Sequence, residues 1–156
     1  MGLIRNREQR LQAAGEIHRF HRDVAEALSR IQEKEAALPE DLGRDLNSVL
    51  ALIRRHEGFE NDLVALEAQL QVLVEDASRL QVHYPGNNAV HIDQQQQIVV
   101  AHWEELKERS AHRRDQLQAS CDLQRFLTQV LNYIFHQLYL TIYVIFNGRN
   151  LLITFR

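Results

Sequence analysis

Apolar residues recur at alternating steps of three and four along residues 44–83, and this is the most regular pattern in the chain. A mean step of 3.5 residues keeps one stripe of side chains on one face of an α-helix. No proline interrupts the stripe, so the pattern predicts a single helix about 60 Å long. The apolar side of such a helix needs partner helices of similar length. The stripe consists of Val49, Leu52, His56, Phe59, Leu63, Leu66, Leu70, Leu73, Ala77 and Leu80.

Two further stripes predict the partner helices. The first helix is predicted over residues 13–38 and ends at Pro39, because proline lacks an amide donor and disfavours helix in the residue before it. Its stripe consists of Ile17, Phe20, Val24, Ala27, Leu28 and Ile31. The third helix is predicted over residues 89–122, and its stripe, which is weaker and partly polar, continues to residue 127. It consists of Ile92, Gln96, Val99, Trp103, Leu106, Ser110, Arg113, Leu117, Ser120, Gln124 and Leu127.

The links between these helices are short. Residues 38–44 contain Pro39 and Gly43, and residues 84–88 read Tyr-Pro-Gly-Asn-Asn, a strong turn signal. Short connections place consecutive helices antiparallel to each other, and seams with a 3.5-residue step pack with a left-handed supercoil. The predicted fold is therefore all-α, a three-helix left-handed coiled-coil bundle.

Composition and charge change this picture little. The chain has 156 residues, enough for one domain. Its formal net charge of −3 gives no reason to expect nucleic acid as a partner. The single cysteine, Cys121, excludes an internal disulfide and favours a reducing compartment.

The sequence contains an internal echo. Residues 11–24 can be laid on residues 117–130 at an offset of 106 residues, and Leu, Gln, Ala, Arg, Phe and Val recur at matching positions. One period therefore contains all three predicted helices. We expect the third helix of one unit to continue without a break into the first helix of the next.

The period and several motifs resemble the spectrin repeat family, and β-spectrins in particular. The resemblance covers roughly residues 5–130. Its motifs are Gly43-Arg44-Asp45-Leu46, the Arg54–Glu60 segment RRHEGFE, Leu66–Gln69 and Trp103–Leu106. The chain departs from the family at Arg30, where the first helix usually carries a Trp.

The resemblance implies a division of the chain and a role. Residues 1–12 would end a preceding repeat's third helix, residues 13–122 would form one repeat, and residues 123–130 would begin the next. Such a repeat is a structural rod module of the membrane skeleton and catalyses no reaction. Family resemblance further implies side-by-side pairing with α-spectrin, docking to ankyrin and an actin network, and a cytoplasmic location at the inner face of the plasma membrane.

The echo stops at Val130, and residues 131–156 form an atypical hydrophobic tail. Arg149 and Arg156 are its only charged residues, and it holds three of the four tyrosines. Residues 131–146 are slightly short of the roughly 20 needed to cross a bilayer. Three interpretations stay open: non-native sequence from a gene-model boundary, a membrane anchor, or a packed segment that covers the open end of the bundle. The anchor would give an alternative function, a tail-anchored helical adaptor, and membrane contact is expected only through this tail.

Few residues suggest chemistry. His18 and His21 stand three apart on one helix face, a spacing that two metal ligands use, but no Cys or carboxylate nearby in sequence completes a set. His56 and His102 fall on or beside the seams, where a core or interhelical hydrogen bond is the expected role. Phosphate-binding glycine loops, nucleophile elbows and metal motifs are not found in the sequence. We therefore predict no catalytic, cofactor-binding or metal-binding residue and no enzyme activity.

The remaining singled-out residues are assigned to packing or surface. Trp103 is predicted to be a core anchor, because burial of its indole ring would dominate such a bundle, and Cys121 a small core or boundary residue. The basic groups are predicted to lie on solvated helix surface. They are Arg5, Arg7, Arg10, Arg113 and Arg114.

Overall fold

The structure is a computed structural model that describes the backbone of residues 2–153 and the side chains of residues 4–147. Within these residues it contains three α-helices, α1 (Gly2–Ala36), α2 (Leu46–His83) and α3 (Asn87–Ile153). Among the residues described there is no strand, so the all-α prediction is confirmed. Helix α3 runs through residues 120–130 without interruption, as the internal echo predicts.

The chain forms two compact units. The first takes in the residues up to Asp41 together with Arg54–Arg114, and the second takes in Leu42–Ile53 together with the residues from Asp115 onward.

The core of the first unit is built from the three predicted seams. Its buried apolar side chains are Phe20, Val24 and Ile31 from α1, Leu63, Leu66, Leu70, Leu73, Ala77 and Leu80 from α2, and Ile92, Val99, Trp103 and Leu106 from α3. Each large side chain of this kind contributes about 1.5–3 kcal/mol when fully buried. All ten α2 seam positions, across both units, are buried or half-buried, as the 3.5-residue step predicts.

The second unit has a smaller core. Val49, Leu117 and Cys121 are buried in it, and the Ser120 hydroxyl donates a hydrogen bond of 2.9 Å to the Leu42 carbonyl oxygen. Leu127, the last position of the predicted third seam, is 43% exposed. The prediction that the seam is buried to this point is therefore wrong, because no described element covers that face of α3.

Helix α2 begins with a reciprocal cap in the second unit. The Ser48 amide donates to Asp45 Oδ1 at 2.9 Å, and the Asp45 amide donates to Ser48 Oγ at 3.1 Å. These bonds satisfy amides that have no partner inside the helix. The bond from the Ser48 amide is also the main reason why the pKa of Asp45 lies below its ordinary value.

Just before this cap, Gly43 adopts a left-handed backbone conformation with φ of +76°. A Cβ atom added there would lie 2.8 Å from Val49 Cγ2 and 2.9 Å from the Val49 amide nitrogen. We expect Gly43→Ala to lower the free energy of unfolding by about 1–3 kcal/mol, because it adds a positive-φ strain and a backbone clash. Urea unfolding followed by circular dichroism measures the change.

Gly58 provides the matched control. It lies within α2, and a Cβ atom added there meets nothing within 4 Å. Gly58→Ala should therefore raise the free energy of unfolding by up to about 1 kcal/mol through helix propensity alone. Equal stability of the two alanine variants would contradict the role assigned to Gly43.

Candidate functional site

A buried histidine joins α2 to α3 in the first unit. His56 is 5% exposed, and its Nε2 donates to the Ser110 carbonyl oxygen at 3.0 Å. A carbonyl oxygen only accepts, so this bond places the ring proton on Nε2. The predicted interhelical hydrogen bond is confirmed, and it explains how an otherwise apolar seam tolerates an imidazole.

The side chains of His56, Ser110 and Glu60 do not form a nucleophile site. Ser110 Oγ lies 3.4 Å from His56 Nε2, and Glu60 Oε1 lies 3.7 Å from the same nitrogen. In a catalytic triad the acid orients the histidine through one ring nitrogen while the other accepts the nucleophile's proton. Here both neighbours face Nε2, which already donates to the Ser110 carbonyl. The arrangement is therefore a packing contact rather than an acyl-transfer centre.

Arg113 corrects one of the sequence predictions. It was expected on solvated surface, but it is only 6% exposed, because it occupies a seam position of α3. Its Nη2 donates to the Asp41 carbonyl oxygen at 3.0 Å, while its buried Nε has no hydrogen-bond partner among the described residues. Burial lowers the pKa of Arg113 from its ordinary value, and the nearby Asp41 charge acts in the opposite direction. Arg114 is exposed, as predicted, and donates to Glu60 Oε1 at 3.2 Å.

This burial has a testable cost. We expect Arg113→Met to leave the free energy of unfolding unchanged or raise it by about 1 kcal/mol, because a buried cation with an unsatisfied nitrogen gives way to an apolar chain of similar length. Asp41 is exposed, so water can replace the lost donor at its carbonyl. Thermal unfolding of the two proteins measures the change. A loss of about 2 kcal/mol or more would show instead that the Asp41 bond outweighs the cost of burial.

Arg30 occupies the position where the resemblance leads one to expect a Trp. It is exposed, donates to Glu26 Oε1 at 2.5 Å and also donates to Gln69 Oε1 on α2. A groove of about 320 Å³ opens beside it, lined in part by Leu66, Leu70 and Leu73. At this position, hydrogen bonds on the protein surface therefore replace the indole ring that the resemblance implied.

Among the residues that the structure describes, no neighbour completes the pair His18 and His21 into a group of three metal ligands. His18 is exposed and His21 is half-buried, and the ring of His21 faces that of His91 on α3 with centroids 4.9 Å apart. The pKa of His21 is lowered mainly by burial and then by the charges of His91 and His18. Sequence spacing did not reveal His91, because it reaches His21 only when α1 and α3 pack together.

His102 behaves differently from the prediction. It is half-buried, as a residue beside the seam should be, but among the described residues it makes no hydrogen bond. Its imidazole instead approaches two carboxylates, those of Glu35 on α1 and Glu105 on α3, with the ligand atoms of all three within 4.8 Å of one another. No short sequence motif contains all three residues.

Two predicted core residues and three predicted surface arginines have the burial that the sequence analysis predicted. Trp103 is 6% exposed, with Lys107 Nζ 5.7 Å from its ring centroid, and Cys121 is 1% exposed and not disulfide-bonded. Arg5, Arg7 and Arg10 are exposed.

The hydrophobic tail is helical and uncovered. Every described side chain from residue 125 to residue 147 is exposed, including Phe135, Tyr139 and Phe146 at 67%, 67% and 72%. The interpretation in which the tail packs over the open end of the bundle is therefore wrong for these residues. In the part of the chain that the structure describes, no helix is both long enough and apolar enough to cross a membrane.

Comparison with known proteins finds a matching family model and several related proteins. A family model described as "Spectrin repeat" matches residues 15–119. The chain is 44% identical over 115 residues to the human "Spectrin beta chain, non-erythrocytic 5", which covers 74% of this chain and 3% of that one. It is 38% identical over 128 residues to the Drosophila melanogaster "Spectrin beta chain" and to the mouse "Spectrin beta chain, erythrocytic", in each case covering 82% of this chain and 6% of the relative. The chain thus spans only a small part of the length of the relatives that it matches.

Proposed function

Because the chain belongs to the spectrin repeat family, we propose that it serves as a structural rod module of a spectrin-type cytoskeleton. In this role it spaces and couples neighbouring repeats and catalyses no reaction. The observation that carries the proposal is the match of the spectrin-repeat model to residues whose three seams supply the buried core of the first unit.

Helix α3 supplies the coupling between neighbouring repeats. It extends from Asn87 to Ile153 without a break, so it passes the end of the matched region at residue 119 as continuous helix. A bend or pull at one end of a helix is transmitted through its backbone hydrogen bonds, whereas a flexible linker would absorb it. We accordingly take residues 13–122 as one repeat and residues 123–130 as the start of the next.

The exposed faces of the helices provide the docking surface in this proposal. We place the module at the cytoplasmic face of the plasma membrane, paired side by side with an α-chain and connected to ankyrin and the actin network. The support for these partners is family resemblance, and the surface of the bundle carries the charged side chains that such contacts use. Arg22, Arg54, Glu57 and Arg109 are among the exposed residues.

A tandem chain tests the coupling. Residues 25–122 are appended after Val130, which follows the 106-residue offset of the internal echo and gives two repeats joined by one helix. We expect the two repeats to unfold together in urea, with an m value well above that of one repeat. Leu123→Pro should bring the m value down towards that of one repeat, because proline removes a hydrogen bond inside the shared helix and clashes with the preceding turn.

Leu123→Ala is the matched control. In the tandem, Leu123 takes the position of Ile17, which is half-buried against the core, so alanine loses part of that packing but leaves the helix intact. The tandem should keep its high m value with alanine and lose it with proline. If the proline variant unfolds as cooperatively as the unmodified tandem, helix continuity does not couple the repeats and the proposed role is wrong.

A further inference from the structure

Two carboxylates and an imidazole converge between α1 and α3 of the first unit. Glu35 lies near the end of α1, while His102 and Glu105 lie three residues apart on α3. Their potential ligand atoms, one from each residue, are all within 4.8 Å of one another. Glu35 and His102 are half-buried and Glu105 is exposed, so the cluster sits at the rim of the core, open to solvent on one side.

Among the described residues, the three side chains have neither a hydrogen bond nor an ion pair. The lysines nearest in sequence to the cluster, Lys34 and Lys107, form ion pairs with other carboxylates. Lys34 Nζ lies 2.6 Å from Asp62 Oδ2, and Lys107 Nζ lies 2.8 Å from Glu104 Oε1. Two like charges therefore face each other across a half-buried rim, and a bound cation would relieve their repulsion.

The position at the end of α1 adds to the attraction for a cation. Helix α1 ends at Ala36, and the carbonyl groups of a helix C-terminus carry a partial negative charge that favours cations. The Glu35 side chain thus lies where both its own carboxylate and the helix end draw positive charge.

The ligand set selects the kind of cation. One imidazole nitrogen with two carboxylate oxygens suits zinc and related divalent transition metals, whereas calcium and magnesium prefer oxygen ligands alone. The ligand atoms of a tetrahedral zinc ion lie about 3.4 Å apart. The three ligand atoms, now within 4.8 Å of one another, would have to approach to that distance, and the flexible glutamate side chains are the groups that would rotate.

We propose that Glu35, His102 and Glu105 bind a divalent transition-metal ion, with Zn²⁺ the best fit, and that the ion ties the end of α1 to α3. Three protein ligands leave a fourth position for water. The ion does not catalyse a reaction here; by binding the folded chain and not the unfolded one, it stabilises the bundle. This inference is independent of the rod role.

Titration of the full chain tests the site directly. Zn²⁺ binding is measured by isothermal titration calorimetry, and we expect one ion per chain. Trp103 is the only tryptophan in the sequence and follows His102, so Co²⁺ bound at the site should quench its fluorescence, and added Zn²⁺ should restore it. Zn²⁺ should also raise the unfolding temperature by a few degrees. Ca²⁺ at the same concentration should neither reverse the Co²⁺ quenching nor raise the unfolding temperature. Binding of Ca²⁺ as tight as that of Zn²⁺ would overturn the proposal.

Variants separate this site from the other histidines. His102→Ala and Glu105→Gln should each weaken Zn²⁺ binding at least about tenfold, equivalent to about 1.4 kcal/mol. Glu104→Gln and His91→Ala are the controls, because Glu104 pairs with Lys107 and the His91 ring lies tilted against that of His21. Both variants should bind Zn²⁺ within about twofold of the unmodified chain.

The variants also cover the possibility of misfolding. Circular dichroism without metal verifies that each variant is helical. If a variant on α3 does not fold, Glu35→Gln takes its place, because it removes a ligand charge on α1 with little change in side-chain size. The proposal is overturned if the unmodified chain binds no Zn²⁺, if the ligand variants bind as tightly as it does, or if binding is lost only in His91→Ala.

Discussion

Replacing Trp103 by alanine is expected to lower the free energy of unfolding by about 3–5 kcal/mol, the largest effect of any single substitution considered for this chain. Trp103 is 6% exposed and belongs to the buried cluster to which all three helices contribute. Removing the indole costs its burial energy and leaves a cavity that packed helices fill only in part. A loss of this size is a large fraction of the total stability of an ordinary domain.

Circular dichroism in urea measures this change, because the variant has no other tryptophan to report by fluorescence. Val82→Ala is the control: Val82 is 81% exposed on α2, so its truncation should change the free energy of unfolding by less than about 0.5 kcal/mol. Trp103→Phe should fall between the two, since a phenyl ring refills part of the space. If Trp103→Ala is no less stable than Val82→Ala, the core described above does not hold the bundle together.

A chain that ends at Val130 is expected to stay monomeric at concentrations at which the full chain self-associates. Residues 131–147 expose a continuous set of large apolar side chains, and the segment from residue 126 to residue 148 contains no Asp, Glu, Lys or Arg. Exposing an apolar patch of this extent to water is unfavourable, and apolar patches on soluble monomers rarely exceed a few hundred Å². Self-association would cover the patch. Sedimentation velocity of both chains over a concentration series measures the difference.

Point substitutions in the full chain locate the cause. Ile134 and Leu138 are 46% and 53% exposed and stand four residues apart on one helix face, so Ile134→Glu with Leu138→Glu places two charges on that apolar face and should restore the monomer. Asn132→Glu with His136→Glu adds the same charge at polar positions and should restore it less. A full chain that is monomeric at every concentration would contradict the prediction, and two equally effective pairs would show that net charge, not the apolar face, controls association.

The sequence determined the helices and their buried faces. In α2, a step of 3.5 residues selects one face, and the structure buries or half-buries all ten positions that the pattern named. Val24 and Ile31 in α1, and Val99 and Leu106 in α3, follow the same rule. Periodicity succeeds here because side-chain direction along a helix depends only on backbone geometry, which is local.

The internal echo succeeded for a related reason. The match between residues 11–24 and residues 117–130 predicted that α3 continues without a break through residues 120–130, and it does. Helix continuity depends on local sequence, and residues 117–130 contain neither proline nor glycine, the two residues that most disfavour a helix interior.

Packing decided the environment of the polar residues. Arg113 looked like surface by residue type, yet its seam position carries it into the interior, where Asp41 accepts its hydrogen bond. Leu127 looked like core by its seam position, yet it is exposed because no described element lies against it. Whether a side chain is buried depends on what stands opposite, and a single helix pattern does not contain that information.

Tertiary structure alone also assembled the two polar clusters. Glu35 meets His102 and Glu105, and His21 meets His91, only because α1 and α3 pack in one particular register. The sequence by itself determined three amphipathic helices and their order, since each follows from backbone geometry and short-range preferences. The partners of each polar group were decided by the relative height and rotation of the packed helices, because these bring together residues that lie far apart along the chain.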